Sequence, residues 1–157
     1  MADDRHIKDG IWLLCSNSAV RRASRQLGQL YEDAMGDTGL KGTQFSLLSQ
    51  IARSGSPSLK TLAEAMVMDL SALGHTLKPL LRDGLVELVP DESDRRVKRV
   101  RLTETGAVRQ RELTARWQIA QDRFDRVFGK EKSEELRRTL AFISSPEFAK
   151  AFDRGDG

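Results

Sequence analysis

Apolar residues recur along most of this chain at steps of three and four. Over 7–35 they fall at Ile7, Ile11, Leu14, Val20, Ala23, Leu27, Leu30 and Ala34 with no proline between them. This pattern predicts one long helix, ended by Gly36-Asp37-Thr38-Gly39. Thr43 reads as the N-cap of a second helix whose buried stripe is Phe45, Leu48, Ile51 and Ala52, and Ser54-Gly55-Ser56-Pro57 is a loop. Ser58 then caps a short helix with Leu59, Leu62, Ala63 and Met66 on one side. After Val67 and Met68 another short helix, over 69–83, buries Leu73, Leu77, Leu80 and Leu81. At about 100° per residue the opposite face of this last helix carries Ser71, His75, Lys78 and Arg82. Two short helices joined by so tight a turn, the second polar and cationic on its free face, fit a helix-turn-helix.

The period then changes. Gly84 suits a helix C′ position, and 85–89 and 97–102 are short, partly β-branched runs. Between them Pro90-Asp91-Glu92-Ser93-Asp94-Arg95-Arg96 is rich in turn formers, so a β-hairpin is expected. Five of the seven residues from Arg95 to Arg101 are Arg or Lys and none is acidic. Such a ribbon suits DNA phosphates and the minor groove. Thr103 reads as the cap of a long helix ending near Phe128, with Leu113, Trp117, Ala120, Phe124 and Val127 spaced like a coiled-coil seam. Gly129 breaks it. A helix over 131–144 has Leu136, Leu140 and Ile143 on one side. Ser145-Pro146-Glu147 supplies a cap, an N1 proline and an acid for a last short helix bearing Phe148 and Phe152.

The chain has 157 residues, enough for one domain with a real core. A net charge of +3 is only mildly basic, so any nucleic-acid argument rests on where the charges sit. Cys15 is the single cysteine, which excludes an intrachain disulfide and fits a reducing cytoplasm. His6 and His75 are the only histidines and no Cys/His cluster has zinc spacing, so neither metal nor cofactor is expected. No P-loop, GxGxxG or nucleophile elbow occurs, and the chain does not read as an enzyme. No run of 18 apolar residues exists, so no membrane association is expected, and the polar start MADDRHIKDG does not read as a signal peptide.

The stretches SLKTLAEAMVMDLSALGHTLKPLLRDGLVE and DRRVKRVRLTETG closely resemble the MarR family of bacterial transcription regulators. The family's DxR element corresponds to Asp94-Arg95-Arg96, followed by Leu102-Thr103 and Gly106. The flanking helices extend the resemblance over essentially the whole chain. It implies a mainly α fold with a small β-hairpin wing. Residues 43–103 would form a winged helix-turn-helix lobe, and 1–39 with 104–157 a helical dimerisation lobe. It further implies a homodimer on a near-palindromic double-stranded operator, acting as a repressor that a small aromatic or phenolic effector or an oxidant releases.

On this reading the DNA contacts are Ser71, Ala72, His75, Thr76, Lys78 and Arg82 of the second short helix, with Arg95, Arg96 and Lys98 of the wing. Asp94 would pair with a nearby arginine and fix the wing. Family members often carry Arg near position 75. Here Leu70, Ala72, Gly74 and His75 stand instead, which weakens readout by bidentate arginine. Pro79 removes the N–H that would pair with the His75 carbonyl, so a loosened turn is expected. Arg21, Arg22 and Arg25 read as a solvated face or as phosphate contacts. The dimer would bury Ile7, Ile11, Leu14, Trp117, Phe124, Leu136, Leu140, Ile143, Phe148 and Phe152, and Trp12, Cys15 and Trp117 would line an effector cleft between the lobes. A peroxide-sensing branch of the family carries its cysteine at a similar early-helix place, so Cys15 also admits a thiol-based redox repressor. A winged-helix module for protein contact is a further alternative.

Overall fold

The computed structural model describes residues 10–155, without the side chains of residues 11 and 12. Its elements run α1 (Ile11–Leu14), α2 (Ser16–Met35), α3 (Gly42–Ser54), α4 (Leu59–Ala65), α5 (Leu70–Arg82), β1 (Val86–Pro90), β2 (Lys98–Leu102), α6 (Glu104–Phe128), α7 (Lys130–Ile143) and α8 (Pro146–Arg154). The expected mainly helical winged-helix architecture is present.

The long helix expected over 7–35 is not continuous. Cys15 takes extended backbone angles (φ −84°, ψ 111°) and becomes the N-cap of α2. No glycine or proline marks that break, although the apolar series steps by six across it, from Leu14 to Val20. His6 and Ile7, together with the Ile11 and Trp12 side chains to which roles were assigned from sequence, lie outside the described residues.

Thr43 does not cap α3. The helix starts one residue before it, with Lys41 extended at the N-cap and the Gln44 side-chain oxygen accepting from the Lys41 N–H at 2.8 Å. The buried stripe of α3 is Phe45, Leu47, Leu48 and Ile51, while Ala52 is exposed. Leu47 is enclosed because α3 is the central support, packed against α6, β2 and α5 at once. Around it lie Leu62, Leu73, Leu77, Leu80, Val86, Val100 and Leu113, a single core for the winged-helix region.

Local side-chain chemistry fixes three further helix starts as expected. Ser58 accepts from Thr61 N–H, Thr103 from Gly106 N–H and Ser145 from Phe148 N–H. The turn between α4 and α5 closes with Met68 N–H on the Ala63 carbonyl and Val67 N–H on that of Glu64. This puts Val67 at φ 51°, a left-handed place that glycine normally takes. Helix α5 runs through Pro79 without a break. The carbonyl left without that N–H belongs to exposed His75, where solvent can satisfy it.

Strands β1 and β2 pair antiparallel, Val86 opposite Leu102 and Pro90 opposite Lys98. Each begins one residue later than the sequence pattern predicts. Gly106 is held by a close approach: a Cβ there would lie 1.8 Å from the Leu85 carbonyl oxygen. The Thr103 hydroxyl donates to the Gly84 carbonyl at 2.6 Å, so the wing and α6 are tied where they meet.

Helix α2 lies along α6, with Tyr31 OH donating to Gln121 Oε1 at 2.9 Å. Leu113 and Ala120 are buried on α6 and Trp117 packs against the core, whereas Val127 is 89% exposed in the single chain.

Candidate nucleic-acid interface

Helix α5 owes its position to both its start and its apolar face. At its start the Asp69 carboxylate accepts from Ala72 N–H at 2.7 Å, and along it Leu73, Leu77 and Leu80 sink into the core. This leaves Ser71, Ala72, His75 and Lys78 exposed on one side of a fixed helix. Two of the α5 residues expected to meet DNA are partly committed elsewhere. Thr76 is half-buried and its hydroxyl donates to the Ala72 carbonyl at 3.1 Å. Arg82, at the far end, forms two hydrogen bonds with Asp83, at 2.8 and 3.3 Å, which raises the guanidinium pKa and lowers that of the carboxyl. Its charge is thereby offset, leaving the cationic character of this face mainly to Lys78.

In the wing, Asp94 finds the partner that the sequence left open. Arg96 donates to both Asp94 oxygens at 3.0 Å, and its own N–H reaches Oδ1 at 3.1 Å. The hydrogen bonds from Arg96 hold the Asp94 carboxyl below its ordinary value. This pair lies within the loop, and the Arg96 side chain remains 91% exposed.

A different pair, Asp91 and Arg99, ties the wing loop to the domain. Asp91 is 7% exposed. Its Oδ1 accepts from the Ser93 hydroxyl at 2.6 Å, Ser93 N–H at 2.8 Å and Asp94 N–H at 3.0 Å, and its Oδ2 accepts from Arg99 Nε. The Ser93 hydroxyl first, then the Arg99 guanidinium and the two backbone N–H groups, hold this carboxyl far below the carboxylate range. Arg99 Nη1 also donates to the Ser56 carbonyl at 2.7 Å, and Val100 N–H to that of Pro57 at 3.0 Å. The loop before α4 thus borders β2. Arg101 pairs across the hairpin with Glu87 at 2.8 Å.

Of the five wing cations, three therefore have carboxylate partners. Arg95 and Lys98 are exposed, and no carboxylate partner is found for either among the described residues. Sequence reasoning found Arg95 and Lys98 but not the roles of Asp91 and Arg99. Their signal was one of three clustered acids, eight residues before a basic residue, which acquires meaning only with the hairpin register.

The dimerisation candidates divide. Leu14, Ile143 and Phe152 are exposed in the single chain, at 59%, 43% and 76%. Phe124, Leu136, Leu140 and Phe148 are half-buried. Phe142, Phe148 and Phe152 form a ladder, with ring centroids 5.4 and 6.3 Å apart. Cys15 is half-buried at the start of α2. Hydrogen bonds from Ser18, backbone and then side chain, lower its thiol pKa, against a smaller opposing effect of burial. Arg21, Arg22 and Arg25 share one face of α2 with Ser18. Two arginines of α6 hold the link from α2 to α3: Arg109 donates to the Thr38 carbonyl, and Arg116 to that of Met35 at 3.1 Å. Among the described residues no helix is long and apolar enough to cross a membrane.

Known proteins share this geometry. The family model described as "MarR family" matches residues 40–98. The structure of the M. tuberculosis transcriptional regulator MOSR in complex with DNA is similar at 31% identity and a TM-score of 0.75, covering 87% of this chain and 97% of that one. CouR from Rhodococcus jostii RHA1, bound to p-coumaroyl-CoA, is 25% identical with a TM-score of 0.72, covering 83% and 92%. PcaV from Streptomyces coelicolor, in complex with its natural ligand, shares the fold at 22% identity and a TM-score of 0.71, covering 83% and 94%. No curated protein sequence matches.

Proposed function

The chain belongs to the MarR family of transcription regulators, and from that premise we propose that it is a cytoplasmic homodimeric repressor, released from a near-palindromic operator by a small aromatic or phenolic effector. The observation that carries the reading is the joint exposure of two cationic features on one rigid lobe. These are the Ser71–His75–Lys78 face of α5 and the wing bearing Arg95 and Lys98. A helix face of this kind suits the major groove, and a wing suits the adjacent backbone or minor groove. Residues 43–103 form the DNA-binding lobe, and 1–39 with 104–157 the dimerisation lobe. Two copies would bring their exposed Leu14, Ile143 and Phe152 together and set the half-site spacing.

The effector part of the reading draws on relatives crystallised with p-coumaroyl-CoA and with a natural ligand, and on half-buried Trp117, with Trp12 assigned from the sequence alone. The test is selection of bound sequences from random duplex DNA, followed by titration with aromatic acids. Tryptophan quenching with a parallel fall in operator affinity supports the reading. Quenching at unchanged affinity refutes effector control. A second reading, thiol-based release, is favoured by the lowered pKa of Cys15. Under effector control Cys15→Ser leaves regulation intact, whereas loss of an oxidant response in that variant establishes the thiol reading.

A further inference from the structure

Beside the cationic face of α5 lies a surface that neither wing arginines nor His75 account for. Leu70 is the first residue of α5 and is 61% exposed. It borders a hollow of about 420 Å³ between α5, the start of α4 and the wing, floored by Leu77 and walled by Val97, itself 37% exposed. Gly74 lines the same side, and nothing lies within 4 Å of where its Cβ would be, so that flank of α5 is open. The charged residues lining the hollow are Lys98, which has no carboxylate partner among the described residues, and Lys60, whose Nζ lies 4.0 Å from Glu64.

We infer that Leu70 reads the methyl group of a thymine in each operator half-site. This inference rests on the DNA-binding reading above and adds what the helix recognises. The opening turn of a recognition helix meets base edges. Leu70 has no donor or acceptor to offer them, and the one apolar group that base pairs display in the major groove is the thymine C5-methyl. The two rim lysines match an anionic occupant whose backbone passes on either side of that contact. The same turn lacks the Arg, Asn or Gln that would make a bidentate contact, so an apolar contact carries a larger share of the discrimination.

The experiment uses the duplex recovered by selection from random DNA, resynthesised with deoxyuridine in place of thymidine at one symmetric pair of positions at a time. Binding is measured for the full chain and for Leu70→Ala, whose exposed site leaves the core intact. Burying one methyl corresponds to about 0.8 kcal/mol, or about fourfold in affinity per half-site. The expected result is one symmetric pair of thymines where removal of both methyls weakens the wild type by that factor squared, roughly fifteenfold, while Leu70→Ala binds both duplexes equally. A wild type indifferent to every deoxyuridine, or a variant that keeps the full ratio, overturns the inference and leaves the DNA-binding reading standing. If selection enriches no sequence, both readings fall.

Discussion

Arg99 and Asp91 meet where the wing loop leaves the strands, and Arg99 reaches the Ser56 carbonyl with the same guanidinium. One side chain therefore joins the hairpin loop to the segment that leads into the helix-turn-helix. A wing attached in this way is held against the lobe, and Arg95 is carried in a defined place. The basic ribbon thus divides into cations that build the wing and cations left exposed.

Asp91→Asn should loosen the wing and make stability less sensitive to acid. The folded-state pKa of Asp91 is depressed below the ordinary 3.8. Its contribution is therefore present above the unfolded value and diminishes as pH falls below about 4. Thermal melts should show the wild-type Tm falling more steeply than that of the variant below about pH 4. Parallel curves would mean that the carboxylate network does not stabilise the fold.

Val67→Gly should stabilise the protein. Val67 is 69% exposed, so it contributes little packing, and its φ of 51° is costly for a β-branched residue. Relief of a left-handed residue is worth about 1 kcal/mol, partly offset by the greater chain entropy of glycine. Urea unfolding at constant m-value measures it, and a variant less stable than the wild type would show that Val67 packs in the dimer instead.

Helix types were legible in the sequence, and so were most locally caused caps, Thr43 being the exception because Lys41 with Gln44 opens α3 instead. Ser58, Thr103 and Ser145 bond to N–H groups three residues on, and such bonds depend on neighbours in the chain alone. The break at Cys15 carries no glycine or proline, and its one trace in the sequence is the six-residue step from Leu14 to Val20 in the apolar series. The burial of Leu47 follows from α3 being enclosed on several sides, which one-sided periodicity does not anticipate. The candidate site was half legible. Exposed His75 and Lys78 follow from helical geometry, but Asp91 with Arg99 and Arg82 with Asp83 are pairings of particular rotamers. Basic composition alone counts Arg82, Arg96, Arg99 and Arg101 as available to DNA, although each has a carboxylate neighbour. Gly106 appeared only as a motif position, and the fold supplies its reason in the Leu85 carbonyl.

Phe152→Glu should separate the dimer. Phe152 is 76% exposed and stacks on Phe148 in the single chain, so the charge would be introduced on a face the folded protomer leaves open. Sedimentation at micromolar concentration should show a monomer. Operator affinity should fall about a hundredfold or more as two linked half-sites become independent. A monomeric variant that binds as tightly as wild type would mean that operator binding does not depend on the dimer.

The central claim is that the wing grips DNA through exposed Arg95, and the salt dependence of binding tests it most directly. Affinity should be measured across a salt series for wild type and Arg95→Ala, on the selected operator and on a scrambled duplex. The expected result is weaker binding to both duplexes by similar factors. The slope of log K against log salt should fall by about 0.9 for each phosphate that Arg95 no longer neutralises, hence by nearly twice that in a dimer. An unchanged slope on both duplexes would contradict the claim and favour a wing that meets a protein partner instead.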